Sequence, residues 1–144
     1  AVDMALTERR CLSLVQGPPG TGKTTTAIEI MCSWLRANRG QILATAFSNK
    51  GVNNLAEGLY NRGVNVLRVG ACDAELPYSM ESHLEYYARE GGKGSGKGAQ
   101  GDAIRRADVV CATVIGSGMG LLRSTDFPFV IVDEAAQIIE PAVL

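Results

Sequence analysis

The chain has 144 residues, 46% of them hydrophobic, and 14 Lys and Arg stand against 15 Asp and Glu for a formal net charge of −1. That length and apolar share suit one domain with its own core, of the α/β kind. Near-zero charge excludes a general electrostatic pull on nucleic acid, so any such partner has to be held by a local surface.

The opening AVDMALTERR starts in mid-helix pattern without a cap, so a first helix over residues 1–10 and a chain cut from a longer polypeptide are expected. CLSLVQ, residues 11–16, predicts a short apolar strand, and TTTAIEIMCSWLRA continues as an amphipathic helix. QILATAF predicts a second strand, NKGVNNLAEGLYNRG a helix closed by Gly63, and VNVLRVG a third strand. This βαβαβ alternation implies a mainly parallel sheet flanked by crossover helices. From about residue 72 to 107 the alternation gives way to an insertion. There SMESHLEYYARE reads as a helix, residues 91–101 as a flexible Gly/Lys linker, and DAIRRAD as a helical lead into the next strand. DVVCATV is a fourth strand, GSGMGLLRS a turn with a short helix, and FPFVIVDE a fifth strand that ends in acid. Ligands of parallel α/β sheets gather at the carboxyl ends of the strands, where Gly17, Ser48, Thr113 and Asp133 all fall.

Two stretches resemble a phosphate-binding loop. Such a loop needs backbone N–H groups that converge on a phosphate, a Lys that reaches the β/γ oxygens, a following hydroxyl for Mg²⁺, a strand before it and a helix after it. In GGKGSGKG, Gly91–Gly98, the residue after Lys97 is Gly98 and no strand or apolar helix flanks it. It reads as a disordered tether, with an engineered replacement of a longer insertion as the alternative. VQGPPGTGKTTT meets every requirement, with Gly17, Gly22 and Lys23 at the right spacing and Thr24 next. ATP or GTP is therefore assigned to Gly17, Pro18, Pro19, Gly20, Thr21, Gly22, Lys23, Thr24 and Thr25.

VIVDEAAQ puts Asp133 and Glu134 at the end of a buried strand near that loop. Thr24 is expected to coordinate Mg²⁺ directly and Asp133 to hold it through water. Lys23 and Glu134 are the catalytic candidates, Glu134 as general base for a water attacking the γ-phosphate. Adjacent acids at a strand end can also be plain solvated turn residues.

Four segments resemble the first RecA-like domain of superfamily 1 helicases of the senataxin and regulator-of-nonsense-transcripts type. QGPPGTGKT is similar to motif I, ATAFSNKGVNNL to motif Ia, VVCATVIGSG to motif Ic, and VIVDEAAQIIEP to motif II with its trailing Glu-Pro. Phe47 stands where many relatives have Pro. The resemblance implies a RecA-like P-loop NTPase with ATP and Mg²⁺ as cofactors, which translocates on single-stranded RNA or DNA. It also implies that Ser48, Asn49 and Thr113 touch the sugar-phosphate backbone, and that Gln137 and Glu140 link ATP state to that rim. From the residues alone, Ser48 or Asn49 is equally an N-cap and Thr113 an ordinary strand residue. A second RecA-like domain with its γ-phosphate arginines is absent from this chain, so the piece alone is expected to bind ATP weakly and hydrolyse it slowly. RecA-like sheets also insert a later strand between the acidic and phosphate-loop strands, so either a gap in the sheet or completion by another segment is expected.

Two rival readings stay open, an oligomeric AAA+ ATPase and a non-catalytic nucleotide-gated binding module. Against the first, Lys23 and Asp133 are about 110 residues apart. The four cysteines, Cys11, Cys32, Cys72 and Cys111, are irregularly spaced and read as reduced, buried thiols rather than zinc ligands or disulfides. His83 is expected to be solvated, and Trp34 and the Tyr86-Tyr87 pair to pack helices, with base stacking as the alternative. No apolar run reaches membrane-spanning length and no signal peptide opens the chain, so a cytoplasmic or nuclear protein with no membrane partner is expected.

Overall fold

A computed structural model describes residues 12–89, 97–118, 120–123 and 125–138. The predicted helix over 1–10, Cys11 and Glu140 lie outside them. Four strands form one sheet: β1 (Ile42–Ala46), β2 (Val66–Arg68), β3 (Val109–Thr113) and β4 (Phe129–Asp133). Their order is β2-β3-β1-β4 and every pairing is parallel. The chain is thus α/β, as its alternation predicts. β1 is buried along its whole length, as its unbroken apolar run requires of a strand covered on both faces.

The strand period of two sorts side chains between two cores. Ile42, Ala44, Ala46, Val66, Val109 and Cys111 face α1 (Lys23–Arg36) and α2 (Asn49–Tyr60). These helices contribute Ile28, Met31 and Cys32, and Val52, Leu55, Ala56 and Leu59, at i, i+3, i+4 spacing. They approach so closely that a Cβ on Gly58 would lie 2.5 Å from the Ile28 Cδ1. Trp34 stacks on Phe129 with ring centroids 4.3 Å apart, and its indole N–H donates to the Gly40 carbonyl oxygen. It is a packing residue, as read. α2 ends in a turn at Gly63, whose φ of +75° suits glycine.

On the other face, Leu43, Leu67, Val110 and Ala112 meet α3 (Met80–Arg89) and α4 (Lys97–Arg106) through Met80, Ala103, Ile104 and the following Ala107. Here composition misleads. Residues 97–101 belong to α4, not to a linker. Each glycine in a helix costs about 1 kcal/mol, but Ala99, Ala103 and Ile104 bury one face, and tertiary packing outweighs propensity. The rest of the Gly91–Gly98 tether lies outside the described residues.

Four further expectations are corrected. Residues 12–16 form no strand, and Leu12, Leu14 and Val15 are exposed. A strand needs a neighbour for its backbone groups, and among the described residues none flanks 12–16, while β4 pairs only with β1. His83 is half-buried rather than solvated: its Nε2 donates to the Val66 carbonyl oxygen at 2.8 Å, which covers part of the outer edge of β2. Of the tyrosine pair, Tyr87 packs on the second core and Tyr86 is exposed. Cys32 and Cys111 are buried free thiols, whereas Cys72 is partly exposed. Burial pushes the Cys111 thiol up to about 12, so it stays protonated and inert.

Two outcomes follow from this packing. Leu55→Ala, at a site of 0% exposure, should lower unfolding free energy by about 2–5 kcal/mol in urea titration. Burial holds the His83 imidazole below its usual value, against the smaller pull of the Val66 bond. In the unfolded chain it protonates near pH 6.5. Its contribution to stability is therefore complete above about pH 6.5 and is lost as pH falls through the lower folded value. Urea midpoints should drop on acidification through that window, and by less in His83→Gln.

Candidate nucleotide site and the adjoining rim

The phosphate loop runs from Gly17 into the first turn of α1. Gly20 and Gly22 take φ of +76° and +78°, a left-handed backbone that glycine adopts without strain. At Gly17 the constraint is space. A Cβ there would lie 2.7 Å from the Thr21 Oγ1, which donates to the Pro18 carbonyl oxygen at 2.8 Å. Pro18, Pro19 and Gly20 line the exposed outside of the loop, and Thr25 is exposed in the first turn of α1. Gly22 is the N-cap and brings no side-chain acceptor, so the first N–H groups of α1 are left for an anion. Lys23 Nζ donates to the Gly17 and Pro18 carbonyl oxygens at 2.8 and 2.9 Å. The ammonium is thereby held over the loop.

Thr24 Oγ1 donates to Asp133 Oδ2 at 2.8 Å. Asp133 ends β4 in register with Ala46 of β1, which is itself level with Thr113 of β3. The other carboxylate oxygen, Oδ1, accepts from the Glu134 backbone N–H at 2.9 Å, so Asp133 is oriented from both sides. Together the Thr24 hydroxyl and the Asp133 carboxylate are the hard oxygen ligands that suit a divalent cation such as Mg²⁺, which keeps several waters and takes few protein ligands. Among the described residues no group of three or more His, Cys, Asp or Glu gathers as a metal cage.

Glu134 takes φ +56°, a left-handed conformation that costs a non-glycine residue about 1–3 kcal/mol. The turn lays its side chain against α2. Ser48 Oγ donates to Glu134 Oε2 at 3.5 Å, and a Cβ on Gly51 would lie 3.0 Å from that same oxygen. Ser48 also N-caps α2, accepting from the Gly51 N–H at 3.0 Å, and Thr113 caps α5 (Val114–Ser117), accepting from the Gly116 N–H at 3.1 Å. Both hydroxyls therefore have structural work at the rim. Asn49, exposed at the start of α2, accepts from Arg68 at 2.9 Å. Lys23, Thr24, Asp133, Glu134 and Ser48 are thus brought together, with Thr113 level on the far side of β1. Gln137 lies exposed in the short 3₁₀ turn Ala135–Gln137 beyond them.

Sequence reasoning misses Gly51, whose only signal is a glycine in the first turn of an otherwise good helix. It also misses Arg68, a charged residue inside the strand run VNVLRVG that is 1% exposed. An open groove of about 640 Å³ lies beside β2 and α3, lined by Tyr60, His83 and Tyr86 among others.

The chain matches the family described as "AAA domain" over residues 1–95 and 88–144. The chain belongs to this family. The two stretches overlap over residues 88–95, which reach into the glycine-rich run. Over 92% of its length the chain is 32% identical to the regulator of nonsense transcripts 1 homolog of Drosophila melanogaster, of which it covers 14%. It is 33% identical over 94% of its length to the ATP-dependent helicase NAM7 of Saccharomyces cerevisiae, covering 17% of that protein. To the DNA polymerase alpha-associated DNA helicase A of Schizosaccharomyces pombe it is 28% identical over 90%, covering 26%. The resemblance to superfamily 1 helicases of the regulator-of-nonsense-transcripts type is borne out, and the chain spans about a quarter or less of each of these relatives.

Thr24→Val keeps the shape and removes the hydroxyl that ties α1 to β4. It should lower unfolding free energy by about 1 kcal/mol in urea titration, without changing helix content by circular dichroism.

Proposed function

We propose that the chain is the ATP-binding motor domain of a superfamily 1 helicase, coupling ATP hydrolysis to movement along single-stranded RNA or DNA. The observation that carries this reading is the Thr24–Asp133 hydrogen bond, which sets the end of the phosphate loop against the acidic strand across 109 residues. Gly17 to Thr25 would cradle the triphosphate with backbone N–H groups, and Lys23 would turn from its carbonyl partners to the β/γ oxygens. Thr24 would hold Mg²⁺ directly and Asp133 through water. When bound, the ion neutralises charge on the phosphates.

Glu134 would serve as the general base for the water that attacks the γ-phosphate. Its contact with Ser48 joins this chemistry to the rim. There Ser48, Asn49 and Thr113 would grip phosphates without reading bases. Sugar-phosphate contacts of that kind leave RNA and DNA equally open. An arginine from a second RecA-like domain completes the site and is worth several orders of magnitude in rate. Among the described residues no helix is long and apolar enough to cross a membrane, and a cytoplasmic or nuclear setting fits a nucleic-acid motor.

The test compares Glu134→Gln with the parent, each joined to a second RecA-like domain. Turnover should fall by about 10²–10⁴-fold, while affinity for a fluorescent ATP analogue stays level. Equal loss of both would remove Glu134 from the base role. Stimulation of the parent by single-stranded oligonucleotide supports the motor, and silence supports a nucleotide-gated binding module instead.

A further inference from the structure

Arg68 closes β2 and is 1% exposed, yet none of its hydrogen-bond partners is a carboxylate. Its Nε donates to Asn53 Oδ1 at 3.0 Å, and its Nη2 to Asn49 Oδ1 at 2.9 Å and to the Ala71 carbonyl oxygen at 3.2 Å. Nη1 donates to the Val69 carbonyl oxygen. A buried charge is costly to keep, and an apolar side chain would fill the same space at less cost. What the guanidinium adds is direction. It carries five N–H donors and no acceptor, so each asparagine amide has to turn its oxygen inward.

Asn49 and Asn53 are one turn apart on the same face of α2. With both Oδ1 atoms engaged, each amide keeps its NH₂ group as a donor, and among the described residues no acceptor takes either one. Asn49 is exposed beside the Ser48 cap, at the positive end of the α2 dipole. We infer that Arg68 is a positioning residue, which locks the Asn49 and Asn53 amides so that their NH₂ groups serve as donors to the phosphodiester backbone of a strand laid on the rim. The inference rests on the single-strand reading above and adds the device that orients its contacts.

Three measurements on the chain and its variants test it: anisotropy with labelled oligouridine and oligothymidine, affinity for a fluorescent ATP analogue, and thermal melting. Asn49→Ala should weaken oligonucleotide binding several-fold. Asn49→Asp gives Arg68 a carboxylate while removing the donor, so Tm should hold or rise as oligonucleotide affinity falls by about tenfold or more. Arg68→Lys leaves three N–H donors on a single nitrogen where a planar fork of five reaches four oxygens, so it cannot hold both amides and both carbonyls in place. It should lose as much as Asn49→Ala, and the double variant should be no weaker than either single one. Affinity for the ATP analogue should not move in any of them. If Asn49→Ala binds strands as the parent does, or the parent binds none, the single-strand reading itself fails. If Asn49→Ala weakens binding but a folded Arg68→Lys does not, that reading stands and the positioning role is overturned. Should Arg68→Lys fail to fold, the Asn49→Asp melt decides: a steady or higher Tm upholds the lock and a fall refutes it.

Discussion

The hydrogen bond from Thr24 to Asp133 joins the first helix of the sheet to its last strand, and the chemistry of the site depends on it. It forms because β1 and β4 run parallel with Ala46 level with Asp133, so that the carboxyl end of β4 stands at the rim where α1 begins. A register slip of one residue would turn Asp133 to the opposite face. The continuous burial of β1 forbids that slip, since Ile42, Ala44 and Ala46 must stay with one core and Leu43 with the other.

The rim is built from one device used twice. β1 and β3 each run into a hydroxyl residue, Ser48 and Thr113, that caps the helix which follows. Structural and functional readings of such residues are compatible, because a hydroxyl that accepts from a backbone N–H still has its own proton to donate. Ser48 shows this directly: it accepts from Gly51 and donates to Glu134. The left-handed turn at Glu134 makes that contact, and the bare Cα of Gly51 gives it room. One oxygen atom thus connects the acid proposed for hydrolysis with the helix proposed to meet nucleic acid.

Much of this was legible in the sequence for physical reasons. The phosphate loop has a spacing that few other structures need, β3 and β4 are apolar runs that end in polar residues, and β1 leads through Phe47 to Ser48. α2 is capped by a serine at its head and halted by a glycine at its foot. Errors arose where partners distant in the chain decide the outcome. Residues 12–16 carry a strand's composition, but composition supplies no neighbour to pair with. The start of α4 is rich in glycine and looks unfolded until Ala99 and Ala103 are seen against α3 and the sheet. Arg68 gives no local sign of burial, because the two asparagine side chains that hold it come from α2, 15 and 19 residues earlier. His83 likewise owes its burial to a carbonyl 17 residues away.

One consequence concerns the strand that carries the acid. Among the described residues β4 is fastened to the sheet on one side only, through β1, and α1 reaches it at two points, Trp34 stacked on Phe129 at its start and the Thr24 hydroxyl on Asp133 at its end. A bound metal–nucleotide would therefore act as a clasp as well as a fuel, bridging α1 to β4 where the sheet is least fastened. Stability and occupancy are linked by mass action. The rigidity of this edge would then rise and fall with the ligand cycle.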